Sequence, residues 1–289
     1  MQHESVASLL ASKGFLKRVL CGIINLSDFT TQQRGQRSMK LEEKNIIVTR
    51  PYKTVYRCGD SVLKVFDKTH PKSDVFNEAL ITARIEETGL EIAGVKSVTQ
   101  IDGKWSIEVE YKEGMTLEEL MRSDPDNLER HMEDFVNLQI RIHKKTSPLL
   151  KRMKDKFCEQ IDGLKVLDAT TRYELRTRLE SMPKHTKVCH GDFNPGNVIV
   201  GKDGGMTVVD WSHATQGNAS ADAAMSYLLF ALQDQEMADL YLRLFCQKSD
   251  TARQYVQQWL PIVAAAQLAK DNKLEKDFLM KWIDVIDYQ

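Results

Sequence analysis

The periodicity of the chain changes at Gly114, and that change limits the folds open to it. From Asn45 the apolar residues come in short β-branched runs, "NIIVTR", "KTVYRC" and "SVLKVF", the last two joined by Gly59-Asp60. Runs of this kind, bounded by turn residues, read as strands. "VKSVTQI" and "WSIEVEYK" flank Asp102-Gly103, a strong hairpin pair. Between the two groups lies "SDVFNEALITARIEETG", with Val75, Phe76, Ala79, Leu80 and Ala83 at helical spacing. Ser73 is its expected cap and Gly89 its stop. Five strands, with one helix after the third, are predicted before Gly114.

Past Gly114 the pattern is helical from Thr116 to Met182, with Phe135, Leu138 and Ile142 on one face and Tyr173, Leu175 and Leu179 on another. Two short strands interrupt it, "NVIV" and "MTVVD", joined by "GKDGG", and helices resume from Ser220. An α+β architecture follows: a small β-rich N-lobe over residues 45–114 and a larger helical C-lobe over 115–289. Residues 1–44 read as a loosely attached extension, poor in acids over its first forty residues, with Met39 a candidate start of the folded unit.

Composition excludes several classes. A net charge of −1 gives no whole-chain attraction for nucleic acid or an anionic membrane. The best apolar runs, Ala223 to Leu232 and Leu260 to Ala269, reach about half of the ~20 residues a span needs. Cys21, Cys58, Cys158, Cys189 and Cys246 form no CxxC pair, which suits reduced thiols and a cytoplasmic location.

The chemistry concentrates in "VCHGDFNPGNVIV", Val188 to Val200, a loop broken by glycine and proline between short apolar runs. Asp192 stands two after His190, Asn197 five after Asp192, and Asp210 ends the following strand. This H-x-D-x-x-x-x-N spacing, with a strand ending in Asp, is the signature of phosphoryl transfer. A carboxylate must orient the attacking hydroxyl and take its proton, while an amide oxygen and a second carboxylate hold magnesium against the phosphates. The hairpin turn at Asp203-Gly204-Gly205 folds Asn197 and Asp210 together.

"HGDFNPGN" followed by "VVDWSHA" resembles the aminoglycoside phosphotransferase and choline kinase-like family, within the protein-kinase-like fold. The likeness runs upstream through "TVYRCGDSVLKVF", "NEALI" and "VEYKEGMTL". It implies a bilobal kinase that uses ATP and magnesium. By resemblance, Asp192 is the catalytic base, Asn197 and Asp210 the magnesium ligands, and His190 an organiser of the loop. Lys64 is the lysine on the α- and β-phosphates and Glu78 its partner. Val109, Glu110, Tyr111 and Lys112 form the hinge on adenine, and Asp222 is a structural aspartate expected to cap a helix.

Plainer readings stand beside these. Asp210 alone would be a hairpin end, Lys64 an exposed strand lysine, and Cys189 is a packing residue. Glu86 and Glu87 compete with Glu78 on the same helix. Two departures from protein kinases matter. The phosphate-covering turn is "TRPYKT", without glycine, where Lys53 or the Thr54 backbone is left to meet phosphate. After Asp210, "DWSHATQGNASAD" runs straight into a helix, with no room for a peptide-docking segment. A small hydroxylated acceptor is therefore expected. The stretch Gly204 to Leu242 has no Lys or Arg but several acids, which suggests either a cation-attracting pocket for an amino sugar or cationic alcohol, or a solvated helix face. A nucleotide-binding relative with weak activity and an atypical protein kinase are the alternatives.

Overall fold

A computed structural model describes residues 41–270 and 272–283. The expected N-terminal extension lies, up to residue 40, outside them. From Asn45 onward the described residues belong to one folded unit.

β1 (Ile46–Arg50), β2 (Lys53–Cys58) and β3 (Ser61–Phe66) form an antiparallel meander. The β1–β2 turn is only Pro51-Tyr52, with Arg50 paired to Lys53. Alternation along β3 decides its faces: Leu63 and Val65 are buried, whereas Val62 and Lys64 line a cavity. α1 (Lys72–Glu86) follows. β4 (Val95–Ile101) and β5 (Lys104–Glu110) close a five-stranded sheet of order β1-β2-β3-β5-β4. Asp102 and Gly103 both take positive φ, 51° and 74°, which matches the right-handed strand twist of a two-residue hairpin.

α1 departs from expectation at two points. It begins at Lys72, ahead of the predicted cap Ser73, with Pro71 at the N-cap. Its buried face is Val75, Glu78, Ala79, Ile81, Thr82 and Ile85, so Phe76 and Leu80 turn outward, 44% and 47% exposed. Phe76 instead packs edge-on against Trp105 at 5.2 Å, with Lys72 over both rings. A carboxylate in the middle of a buried face needs a partner, which Glu78 finds in Lys64 on β3.

Gly114 marks the change of character. It takes φ 157°, and a Cβ there would lie 2.2 Å from the Val200 carbonyl. β6 (Met115–Thr116) pairs through Met115 with that same Val200, and Thr116 with Glu119 forms a capping box for α2 (Leu117–Ser123). α3 (Leu128–His143), α4 (Met153–Gly163) and α5 (Ala169–Ser181) follow. β7 (Lys187–Cys189) leads into the loop that begins at His190; β8 (Val198–Val200) and β9 (Met206–Val208) form the hairpin, with β6 on its free edge. β10 (Thr215–Gly217) returns to pair with β7, bracketing the loop between two small sheets. α6 (Ala219–Ala231), α7 (Gln235–Ser249), α8 (Arg253–Gln257), α9 (Leu260–Leu268) and α10 (Lys276–Ile283) complete the described chain. α9 and most of α6 are buried, as their continuous apolar sequences require. No described helix is long and apolar enough to cross a membrane.

Candidate active site

The loop from His190 to Asn197 is held from behind by α6. Asp222 Oδ1 accepts from the Gly191 N–H at 2.7 Å, and Oδ2 from the His190 N–H at 3.1 Å. His143 Nε2 reaches the same Oδ2 at 2.9 Å. One turn further, Ser226 Oγ donates to the Phe193 carbonyl at 2.7 Å. Gln139 donates to Ser226, and Tyr241 donates to Gln139, so the network is buried and continuous. The Phe193 ring stacks on Phe135 at 4.3 Å, pinning the loop to α3. Asp222 is thus a clamp and not the cap expected of it: Asn218 caps α6, accepting from the Ser220 N–H at 2.9 Å.

His190 is fully buried, with Nδ1 accepting from the Asp192 N–H at 3.2 Å. The proton therefore sits on Nε2, which donates to the Val209 carbonyl at 3.1 Å. Burial pulls the imidazole below its ordinary pKa, keeping it neutral. One ring fixes both the loop and the end of the strand that leads to Asp210. Gly191 takes φ 76°, and a Cβ would sit 2.7 Å from the His213 carbonyl. Only glycine fits that corner.

Asn197 donates its amide N–H to the Asp192 carbonyl at 2.9 Å and to Oδ2 at 3.1 Å. Its own Oδ1 takes no hydrogen bond among the described residues. Val209 N–H donates to the Asn197 carbonyl at 2.9 Å, which carries the chain to Asp210. Asp210 lies in the left-handed region, φ 59° and ψ 61°, a conformation held only where surroundings demand it. Its Oδ1 accepts from Lys64 Nζ at 3.0 Å and from Ser212 Oγ at 3.2 Å. Lys64 also donates to Glu78 Oε1 at 2.7 Å. Lys53, nearly buried, brings a second ammonium 3.6 Å from both carboxylates. Glu86, a competitor of Glu78 in the sequence, is spent on the Val95 N–H at 2.6 Å.

Lys53, Lys64, Asn197 and Asp210 share the wall of one cavity of about 490 Å³ with Val109, Glu110, Tyr111 and Lys112. Its size suits a cofactor-scale ligand. The oxygen donors also suit magnesium: Asn197 Oδ1 and Asp210 Oδ2 are hard ligands left free of hydrogen bonds among the described residues, and this ion takes one or two protein ligands plus phosphates. The model of the APH phosphotransferase enzyme family matches residues 52–258. The chain belongs to that family.

Solved structures similar to this phosphotransferase include the apo form of a thermostable mutant of aminoglycoside phosphotransferase APH(4)-Ia. It is 16% identical with a TM-score of 0.63, covering 83% of this chain and 92% of that one. Choline kinase LicA from Streptococcus pneumoniae is 13% identical, TM-score 0.57, over 83% and 92%. A choline/ethanolamine kinase family protein from Mesorhizobium loti is 19% identical, TM-score 0.52, over 82% and 83%. At these identities the likeness is one of fold, and that fold is protein-kinase-like. No curated protein matches in sequence.

The electrostatics of the phosphotransferase site follow from its pairs. Burial alone would raise the Asp210 carboxyl, but Lys64 and Lys53 outweigh it and hold it far below the carboxylate range. Burial would likewise lower Lys64, yet Asp210 and Glu78 raise it. Asp192 is drawn down against its burial chiefly by the Lys270 ammonium, so it is ionised at neutral pH. Lys270 Nζ lies 3.1 Å from Asp192 Oδ1. Sequence reasoning missed Lys270, Lys156 and His213, because no local spacing ties them to the loop. The Cys189 thiol is buried and pushed up, as a packing residue should be.

Proposed function

We propose that this chain is an ATP-dependent kinase that moves the γ-phosphoryl group to a hydroxyl of a small molecule. The observation that carries it is the Lys64–Asp210–Asn197–Asp192 succession: an ammonium on one carboxylate, an amide turned to the other, and free hard oxygens between. Structures similar in fold were solved as ternary complexes with ADP and hygromycin B, and with AMP-PNP and hygromycin B.

In this reading Lys64, steadied by Glu78, meets the α- and β-phosphates, and Lys53, at the end of the glycine-free turn, supplies a second cation. The N–H groups of Glu110 and Tyr111 are committed to the Gly94 and Asp60 carbonyls. Among the described residues the Lys112 N–H makes no backbone hydrogen bond, and it would serve adenine in the cavity that Lys112 and Val109 both line. Asn197 and Asp210 would hold magnesium, which neutralises phosphate charge and fixes the phosphates for in-line attack. Asp192 orients the acceptor hydroxyl and takes its proton as the oxygen–phosphorus bond forms and the bond to the β-phosphate oxygen breaks. His190 stays neutral and organises the loop.

The acceptor is small because Trp211 to Gly217 passes through one short turn and β10 directly into α6, leaving no segment on which a peptide could dock. The same brevity disfavours an atypical protein kinase, and the complete residue set disfavours an inactive relative. The acids of the cation-free stretch do not support an amine-bearing acceptor. Asp203 accepts from Gly205 N–H in the hairpin turn, Asp234 caps α7, Glu236 is exposed, Asp239 pairs with Arg253, and Asp222 is spent on the loop. Incubation with magnesium–ATP and a panel of hydroxylated small molecules, read by phosphate incorporation, tests the function. Transfer to protein serine or threonine with every small molecule inert would overturn it.

A further inference from the structure

The side of Asp192 away from its bond with Asn197 is basic. Lys270, just beyond α9, contacts Oδ1 at 3.1 Å while Asn197 holds Oδ2. Lys156, on α4, lines the same small cavity as Lys270. Its Nζ donates to the His213 carbonyl at 2.8 Å and forms no ion pair among the described residues. Gln160, one turn along α4, donates to the Ala266 carbonyl at 3.3 Å. Its Oε1 is buried on this cavity with no hydrogen-bond partner among the described residues. An ammonium without an ion pair and a buried amide oxygen without a donor, one helical turn apart on the same cavity, are each costly.

A cationic acceptor fits this surface badly, since two ammonium groups face it while both nearby carboxylates are engaged, Asp192 by Lys270 and Asn197, and Asp222 by His143 and the His190 and Gly191 N–H groups. An anion fits: it gives Lys156 the counter-charge it lacks, and a hydroxyl neighbouring the reacting one supplies Gln160 Oε1 with a donor. We propose that the acceptor is an anionic alcohol, its carboxylate or phosphate group held by Lys156 and Lys270 while its reacting hydroxyl meets Asp192. This rests on the kinase reading of the site.

The cavity is only about 20 Å³, so the anion enters as the Lys270 ammonium leaves Asp192. The same movement frees Asp192 Oδ1 for the hydroxyl proton, tying base availability to acceptor binding. Lys156 is drawn down to about 8 by burial, by Lys270 and by Lys151, the state expected of a cation whose counter-ion has yet to arrive.

The test uses the full chain with magnesium and ADP, titrated calorimetrically with matched sets: glycerate, glycerol phosphate, glycerol and ethanolamine, then gluconate, glucose and glucosamine. The anionic members should bind at least ~10-fold more tightly than their neutral and cationic counterparts, as charge complementarity in a confined site requires. Glycerate against glycerol phosphate separates a carboxylate from a phosphate site. Lys156→Met and Lys270→Gln should each remove most of the preference, Lys156→Arg should retain it, and ADP affinity should stay the same in all. Preference for neutral or cationic members overturns the proposal. So does equal anion affinity in the Lys156→Met and Lys270→Gln variants, or no anion binding by a chain that binds magnesium–ADP. A chain that fails to bind magnesium–ADP sinks the kinase reading and this one together.

Discussion

Asp222 and Gly191, thirty-one residues apart, are joined by a 2.7 Å hydrogen bond from the glycine N–H to a fully buried carboxylate. The bond explains how a loop with little core of its own holds Asp192 in place. The carboxylate also receives the His190 N–H and meets His143, so its negative charge faces three nitrogens. Asp222→Asn keeps the shape but removes the charge and turns one acceptor into a donor. A loss of about 2–3 kcal/mol of stability is expected from weakened charged hydrogen bonds, measured by urea unfolding. The pH dependence has a definite sign. Burial alone would raise this carboxyl, but His143 and the Gly191 N–H hold it below the ordinary 3.8. Its contribution to stability is complete above that value and is lost as pH falls through the lower folded one, a slope the variant lacks.

Gly191→Ala should be worse than its size suggests. The left-handed φ of 76° disfavours any side chain, and the Cβ would press on the His213 carbonyl at 2.7 Å. At least ~1–2 kcal/mol of destabilisation is expected from the backbone alone. Turnover should fall with it, because the displaced turn, Trp211–His213, leads directly from Asp210. A fully active, equally stable variant would show that the corner is not constrained.

Lys156 carries a second pH signature. Its ammonium titrates near 8 in the folded chain against an ordinary 10.5. Between those values the unfolded chain binds more protons, so stability rises with pH there. Below about 8 the folded protein bears the full cost of the buried cation. Lys156→Met should therefore raise Tm at neutral pH, with the gain shrinking as pH rises above about 8. A variant less stable than the wild type at neutral pH would contradict the account of this group as an uncompensated charge.

The local parts of this architecture were open to reading from sequence. The five-strand, one-helix pattern, the Asp102-Gly103 hairpin and the His190–Asp210 spacing are all set within short stretches where turn chemistry and period dominate. Lys64 and Glu78 lie on consecutive elements, β3 and α1, and meet because α1 packs on β4 and β5 of the same sheet. The failures are long-range or competitive. Lys270 reaches Asp192 across seventy-eight residues with no periodic trace. Asp222 resembles a cap until Asn218 takes that position. Phe76 looks like core, but it is 44% exposed and meets only the edge-on contact with Trp105 among aromatic partners in the described residues. β6 and β10 are two and three residues long, too short for any alternation to show.

Asp192→Asn should cut phosphoryl transfer by at least ~10²-fold, the usual effect of a positioned base. Its carboxylate touches Asn197 and Lys270 but not Lys64, so nucleotide affinity should be unchanged. A variant with full turnover on an identified acceptor would remove Asp192 from the role.

The central claim is that Asp210 and Asn197 form a magnesium-dependent nucleotide site beside Lys64, distinct from the base. Calorimetric titration of ATP, with and without magnesium, into the wild-type chain, Asp210→Asn and Asp192→Asn tests it most directly. Magnesium should strengthen ATP binding to the wild type and to Asp192→Asn, and should do so no longer in Asp210→Asn, where an amide replaces the charged ligand. The same magnesium-dependent affinity in all three proteins, or no ATP binding by the wild type, would contradict it.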